Sequence, residues 1–240
     1  MPLQPSSAST FRPVVDSRAH ELVVDQIAFG IRAGVYKVGE KLPPIGELSR
    51  QFGVSKPTVG EAVRILAVHG VVVSKRGVSG GVTVASDEIS TALLGLVPER
   101  RQTDVRELVE GRRAVEMEIA RLAARRADDD DFAAMRESIE RLEQHLRGPR
   151  RLRLHYDHLF HYALGRAARS DLLAYYQHQI LKQLVVLLGD SFLEQEDTGL
   201  VLEHHRRTLR ALTGRRLRTV ERAMDEHLAV LERAALPGVG

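Results

Sequence analysis

The apolar positions along the chain change their spacing part-way through. Between Ala19 and Ile31, Leu22, Val23, Ile27 and Ile31 recur at helical intervals, which predicts an amphipathic helix that Gly34 ends. Leu48 to Phe52 predicts a second, short helix opened by Pro43-Pro44, and Gly53-Val54-Ser55 turns the chain sharply. Ser55 is a good N-cap for a third helix running to His69-Gly70, with Pro57 tolerated in its first turn. Two β-branched runs follow, Val71–Val73 and Val82–Val84, separated by SKRGVSGG, a glycine-rich hairpin loop. Three helices followed by a two-stranded hairpin make a winged helix-turn-helix.

Beyond Ala85 no strand pattern returns. From Asp104 to Arg126, Val105, Leu108, Arg112, Val115, Ile119 and Leu122 share one helix face. Phe132, Met135, Ile139, Leu142 and Leu146 do the same behind a DDDD start, with Gly148-Pro149 after the end. Four more amphipathic segments are predicted at 151–165, 171–189, 196–213 and 216–235. The expected fold class is therefore mainly α. A winged helix-turn-helix over 16–85 precedes an all-helical antiparallel bundle over 104–236. Residues 1–15, without periodicity, are expected to be a disordered arm, and 86–103 a linker with room for a short helix over 88–96.

Composition narrows the chemistry. With 240 residues, 43% hydrophobic and 28% charged, the chain has the make-up of a soluble globular protein. No apolar run approaches the roughly 18 residues of a membrane span. The N-terminus does not read as a signal peptide, so the expected location is the cytoplasm, with no membrane partner. The absence of cysteine excludes disulfides, thiolate metal sites and a cysteine nucleophile. Any metal must be held by nitrogen and oxygen, for which ten histidines are available. Residues 1–85 hold ten Lys and Arg against six Asp and Glu, whereas 86–240 hold twenty-five against twenty-six. The basic excess belongs to the N-terminal module.

On the third helix Val59, Ala62, Val63 and Leu66 face inward, leaving Lys56, Gly60 and Arg64 along the opposite face, the one a recognition helix lays into the major groove. Lys75 and Arg76 in the hairpin loop are placed to meet phosphates or the adjacent minor groove. The string GVYKVGEKLPPIGELSRQFGVSKPTVGEAVRILAVHGVV, followed by KRGVSGGVTV, resembles the DNA-binding domain of the GntR family of bacterial transcription regulators over about residues 18–85. That resemblance implies a double-stranded DNA partner. The expected contact set is Arg50, Ser55, Lys56, Thr58, Arg64, Lys75, Arg76 and Gly77. The chain departs from the family at Gly46 and Gly60, where arginines that contact DNA are usual, and Gly60 costs roughly 1 kcal/mol against alanine within a helix.

In the bundle the anomalies are polar residues within apolar stripes. Leu154, Asp157, His161 and Leu164 share one stripe, Val201, His205, Leu209 and Leu212 another, and Val220, Met224, His227 and Leu231 a third. A lone inward histidine is ordinarily a hydrogen-bonded core residue. Three of them with an aspartate predict a divalent metal site of Asp157, His161, His205 and His227, suited to Zn²⁺, Ni²⁺, Mn²⁺ or Fe²⁺. His204 points about 100° away on its helix and is expected to be exposed. The strings DHLFH, EHHRR and MDEHL, with LVEGRRAVEMEIARLAARRA upstream, resemble the FCD domain of FadR-like GntR regulators over about 104–235, and the same four residues fall where that domain carries its metal ligands.

Arg112 interrupts an apolar stripe. It serves either as an internal partner of Glu116, one turn on, or as a forked donor for an effector carboxylate, since FCD regulators commonly respond to small organic acids. The expected function is a homodimeric regulator, not an enzyme, that binds an inverted-repeat operator and answers to a small carboxylate in a metal-containing pocket. Two alternatives stand beside it: a regulator that senses the metal itself, and a metal-dependent hydrolase. The second lacks a visible general base, with no HExxH and no glutamate in ligand register.

Overall fold

The computed structural model describes residues 19–75, 80–90, 93, 104–193 and 197–235. The N-terminal part holds α1 (Ala19–Arg32), α2 (Ile45–Phe52), α3 (Lys56–Val68) and the antiparallel hairpin β1 (Val72–Lys75) and β2 (Gly81–Val84). Val72 pairs with Val84 and Lys75 with Gly81, while Lys41 bridges to Thr83 and lays the segment before α2 beside the hairpin. α2 begins three residues earlier than its periodicity predicts, because Pro44 serves as its N-cap and Ile45 already packs on the core.

On α1 the buried face includes Val24 and Ala28 with Val23, Ile27 and Ile31, and Leu22 is 43% exposed, which corrects its inward assignment. Asp25 and Arg32 are buried as well, on the adjoining face of the helix. Both point away from their own module.

The C-terminal part is α4 (Val105–Arg126), α5 (Asp129–Gln144), α6 (Arg150–Ala167), α7 (Asp171–Leu193), α8 (Thr198–Thr213) and α9 (Leu217–Ala235). α5 opens with a capping box in which Asp128 and Asp131 satisfy each other's backbone N–H, the local reason for the DDDD start. α6 packs on α4, α5, α7 and α8 and is buried on most of its circumference. It therefore presents side chains in two directions, Asp157 and His161 toward α4, α8 and α9, and His158 and Tyr162 toward α1 and α7. Of the short helix predicted over 88–96, residues 88–90 are not helical and the remainder, apart from Leu93, lies outside the described residues, as does the arm over 1–15.

The two parts are docked. Asp25 of α1 accepts from Lys182 Nζ at 3.2 Å and Gln179 Nε2 at 3.4 Å, with His178 Nε2 at 3.4 Å. Phe29 lies against the His178 ring, centroids 4.6 Å apart, and Val185 of α7 joins the N-terminal apolar core. A buried aspartate is tolerated because these donors compensate its lost hydration.

Candidate metal centre and nucleic-acid interface

The turn between α2 and α3 is made by Gly53 at φ +66°, a conformation that favours glycine, and by Ser55, whose Oγ accepts from the Thr58 N–H at 3.3 Å. Val59, Ala62, Val63 and Leu66 hold the inner face of α3 in the core. Arg50, Ser55, Lys56, Arg64 and Lys75 are exposed and Thr58 is half-buried. Arg64 is held by Glu61 through contacts of 2.6 and 2.8 Å. Arg76 and Gly77 lie outside the described residues. A Cβ on Gly60 would meet nothing within 4 Å, so packing does not explain that glycine, and one on Gly46 would only touch Lys56.

The second site lies where α4, α6, α8 and α9 converge. His161 and His205 are fully buried and His227 is 5% exposed, and one ligand atom from each lies within 4.8 Å of the others. Asp157 Oδ1 is 3.2 Å from His205 Nε2 and 4.0 Å from His161 Nε2. The three predicted histidine ligands are thus brought together, with Asp157 beside His205 and His161. His205 stacks on Phe160, rings 4.1 Å apart, and neither of its nitrogens has an aligned hydrogen-bond partner among the described residues. Thr208 Oγ1 lies 3.4 Å from His227 Nδ1, which leaves Nε2 for the centre of the cluster. Three buried imidazoles with a carboxylate beside two of them are a donor set that fits a divalent cation.

Burial pushes His227 well below the ordinary imidazole range and lowers His205 despite the pull of Asp157. Their lone pairs are free at neutral pH, as metal ligation requires. Burial alone would raise Asp157, but the neighbouring imidazoles of His205, His161 and His158 together outweigh it and hold the carboxyl below its ordinary range.

Arg112 is 8% exposed and meets Glu116, the internal partner expected for it, together with a second group, His161. Its Nε lies 3.4 Å from Glu116 Oε1, and its Nη2 donates to His161 Nε2 at 2.8 Å. Glu116 is wholly buried and its Oε2 lies 2.9 Å from His161 Nδ1. The burial that would raise its pKa is overridden by the charge of Arg112 and then His161, which bring it to about 2. A glutamate therefore touches one of the ligand candidates, a contact that neither an HExxH motif nor a glutamate in ligand register would mark. Glu116 meets His161 from the side opposite to its ligating nitrogen, a relation between α4 and α6 that spacing within one helix does not reveal. His204 is 7% exposed, not exposed as expected, because its ring packs near His227, centroids 6.3 Å apart.

Beside the cluster is a cavity of about 20 Å³ lined by Arg112, Asp157, Val201, His227, Val230 and Leu231. That is room for one water-sized species. A larger cavity, about 690 Å³, is elsewhere, in an open cleft between the end of α1 and α5 and α6. Several of its charges are paired, Arg166 and Arg169 with Asp131, and Arg141 with Asp87 and Glu137.

Residues 107–230 match the FCD domain, and residues 19–82 match the bacterial regulatory proteins of the gntR family. The chain is a GntR-family regulator with an FCD domain. It is 29% identical over 203 residues to the Uxu operon regulator of Haemophilus influenzae, covering 82% of this chain and 74% of that one. It is 26% identical over 212 residues to the HTH-type transcriptional regulator LutR of Bacillus subtilis, covering 84% and 94%. The solved structure of E. coli McbR/YncC shares the fold, with a TM-score of 0.52 at 18% identity over 90% of this chain and 96% of that one. The families and relatives are DNA-binding transcriptional regulators, so the hydrolase alternative is set aside. No helix among the described residues is long and apolar enough to cross a membrane.

Proposed function

We propose that this GntR regulator works as a homodimer on an inverted-repeat operator, and that a small carboxylate effector acts on it through a divalent metal held by Asp157, His161, His205 and His227. The observation that carries the reading is the convergence of three buried imidazoles from three helices with a carboxylate beside two of them, in which both His205 nitrogens lack an aligned partner among the described residues while Arg112 reaches His161 Nε2. Zn²⁺, Ni²⁺, Mn²⁺ and Fe²⁺ suit such a set, and the ion's charge would attract a carboxylate. Arg112, whose guanidinium borders the same cavity, supplies the forked donor for that group. One α3 reads a half-site, so two-fold protein symmetry suits an inverted repeat.

The surfaces are connected through α1. Asp25 and Arg32 dock the DNA-binding module on α6 and α7, and α6 carries two of the four ligands. A change in the position of α6 therefore acts directly on the module that holds α3.

One observation favours the reading in which the metal alone is the signal. A space of about 20 Å³ does not admit an organic acid without rearrangement. Titrating operator affinity with metal, in the presence and absence of small organic acids, separates the two readings, and metal analysis of purified and chelator-treated protein tests the premise of both. Sedimentation at micromolar concentration tests the dimer.

A further inference from the structure

The ligating nitrogen of His161 already has an occupant. A guanidinium only donates, and Nδ1, although 2.9 Å from Glu116 Oε2, has no aligned hydrogen bond there, so the lone pair that Arg112 meets is on Nε2. Arg112 Nη2 donates to it at 2.8 Å. A lone pair held by a guanidinium N–H is not available to a cation, and two positive charges at one nitrogen repel each other. The guanidinium also forms part of the wall of the small cavity next to Asp157 and His227.

We propose that Arg112 is an internal cation that competes with the metal for His161 Nε2, and that a carboxylate drawing Arg112 away makes metal and acid bind cooperatively. The proposal rests on the metal reading above and adds to it a sign of coupling. Four features support it. Arg112 meets Glu116 through Nε and His161 through Nη2, so its fork can leave His161 while the ion pair with Glu116 persists. Glu116 is held by more than Arg112, since Gln177 Nε2 lies 3.4 Å from its Oε1, so that end of the pair is fixed. The cavity is too small for an acid unless a wall moves, and Arg112 is its one long, charged side chain. A carboxylate accepts two parallel N–H bonds from a guanidinium, a better partner than one imidazole lone pair. By reciprocity the acid must tighten metal binding by the same factor that the metal tightens acid binding.

Isothermal titration of the full-length, chelator-stripped protein with zinc ion, in a non-coordinating buffer with and without acetate or succinate, tests this. In the wild type the acid should tighten zinc binding by about tenfold, within the usual range of coupling between sites. Arg112→Met should bind zinc about tenfold more tightly than wild type without acid, and acid should then have no effect. If that variant does not fold, Arg112→Met with Glu116→Gln removes both charges together and should show the same loss of acid dependence. Long-range nitrogen–proton NMR of the stripped wild type provides an independent readout, with His161 Nε2 as the unprotonated, hydrogen-bonded nitrogen. Zinc binding that is unchanged by acid in the wild type and unchanged by Arg112→Met overturns the competition while leaving the metal site standing. No zinc binding under any condition overturns the metal reading and this inference with it.

Discussion

Arg32, the last residue of α1, donates to His158 Nδ1 at 3.1 Å, and His158 is the chain neighbour of Asp157. Arg32 also lies over the Tyr162 ring at 4.8 Å from its centroid, and it is 4% exposed. One buried guanidinium thus joins the DNA-binding module to the helix that carries two metal-ligand candidates. Arg32→Met should keep stoichiometric metal but lose most of the metal's effect on operator affinity, and should cost about 1–3 kcal/mol of stability from the lost charged hydrogen bond. Fluorescence anisotropy on operator DNA beside thermal melts checks both parts. A full metal response in this variant would place the coupling elsewhere.

Asp25 is the other tie. Asp25→Ala leaves Lys182, 2% exposed, without its carboxylate, and a stranded buried charge typically costs about 3–5 kcal/mol. Lys182→Met on the Asp25→Ala background should recover much of that loss. Urea denaturation of the two variants decides it, and additive losses would show that the two residues do not act as a pair.

Arg64 should be a DNA contact that Glu61 restrains. Arg64→Ala should weaken operator binding, whereas Glu61→Ala, which removes the carboxylate 2.6 Å away, should strengthen binding to DNA of any sequence. Lys75→Glu should weaken binding to all DNA and lower the slope of log affinity against log salt by roughly one contact, about 0.9. A wild-type slope in that variant would remove the hairpin from the phosphate contacts.

Acid should destabilise the metal-free protein early. An unfolded histidine takes up its proton near pH 6.5, while burial keeps His158 and His227 neutral until well below that. Between those values the unfolded chain binds more protons, so stability is complete above about pH 6.5 and falls as pH drops. Each such histidine contributes up to about 1.4 kcal/mol per pH unit. His155, His178 and His205 are lowered by burial and add in the same direction. Glu116 opens a later window with the same sign, from 4.5 down to about 2. Thermal melts of stripped protein from pH 7.5 to 5.5 should show a steep fall in Tm, and a flat Tm across that range would contradict these assignments.

The helices and the hairpin were legible because apolar spacing, the Ser55 cap and the acidic start of α5 are local signals, readable within one turn of chain. The four candidate ligands were legible for a related reason. Each interrupts an apolar stripe, and an uncompensated polar group there would be costly. Glu116 was hidden because it was weighed only against Arg112 on its own helix, while its contact with His161 crosses from α4 to α6. Asp25 and Arg32 were hidden by the neighbouring Val23, Val24 and Ile31, which account for α1 without them. His204 was misplaced because an angle around one helix does not say how closely the next helix packs, and α9 covers it. Sequence periodicity identifies the face of each element. Contacts between faces come from the fold.

The central claim is that occupancy of the bundle alters DNA binding. Its most direct test is operator affinity, measured by anisotropy on DNA selected by the protein from a random pool, for zinc-loaded wild type with and without a saturating small carboxylate, and for His205→Ala in parallel. The account predicts a shift of about tenfold or more with the acid in the loaded wild type and none in His205→Ala, which cannot hold the metal. An operator affinity that stays the same in every condition, while titration shows zinc bound to the wild type, would contradict it.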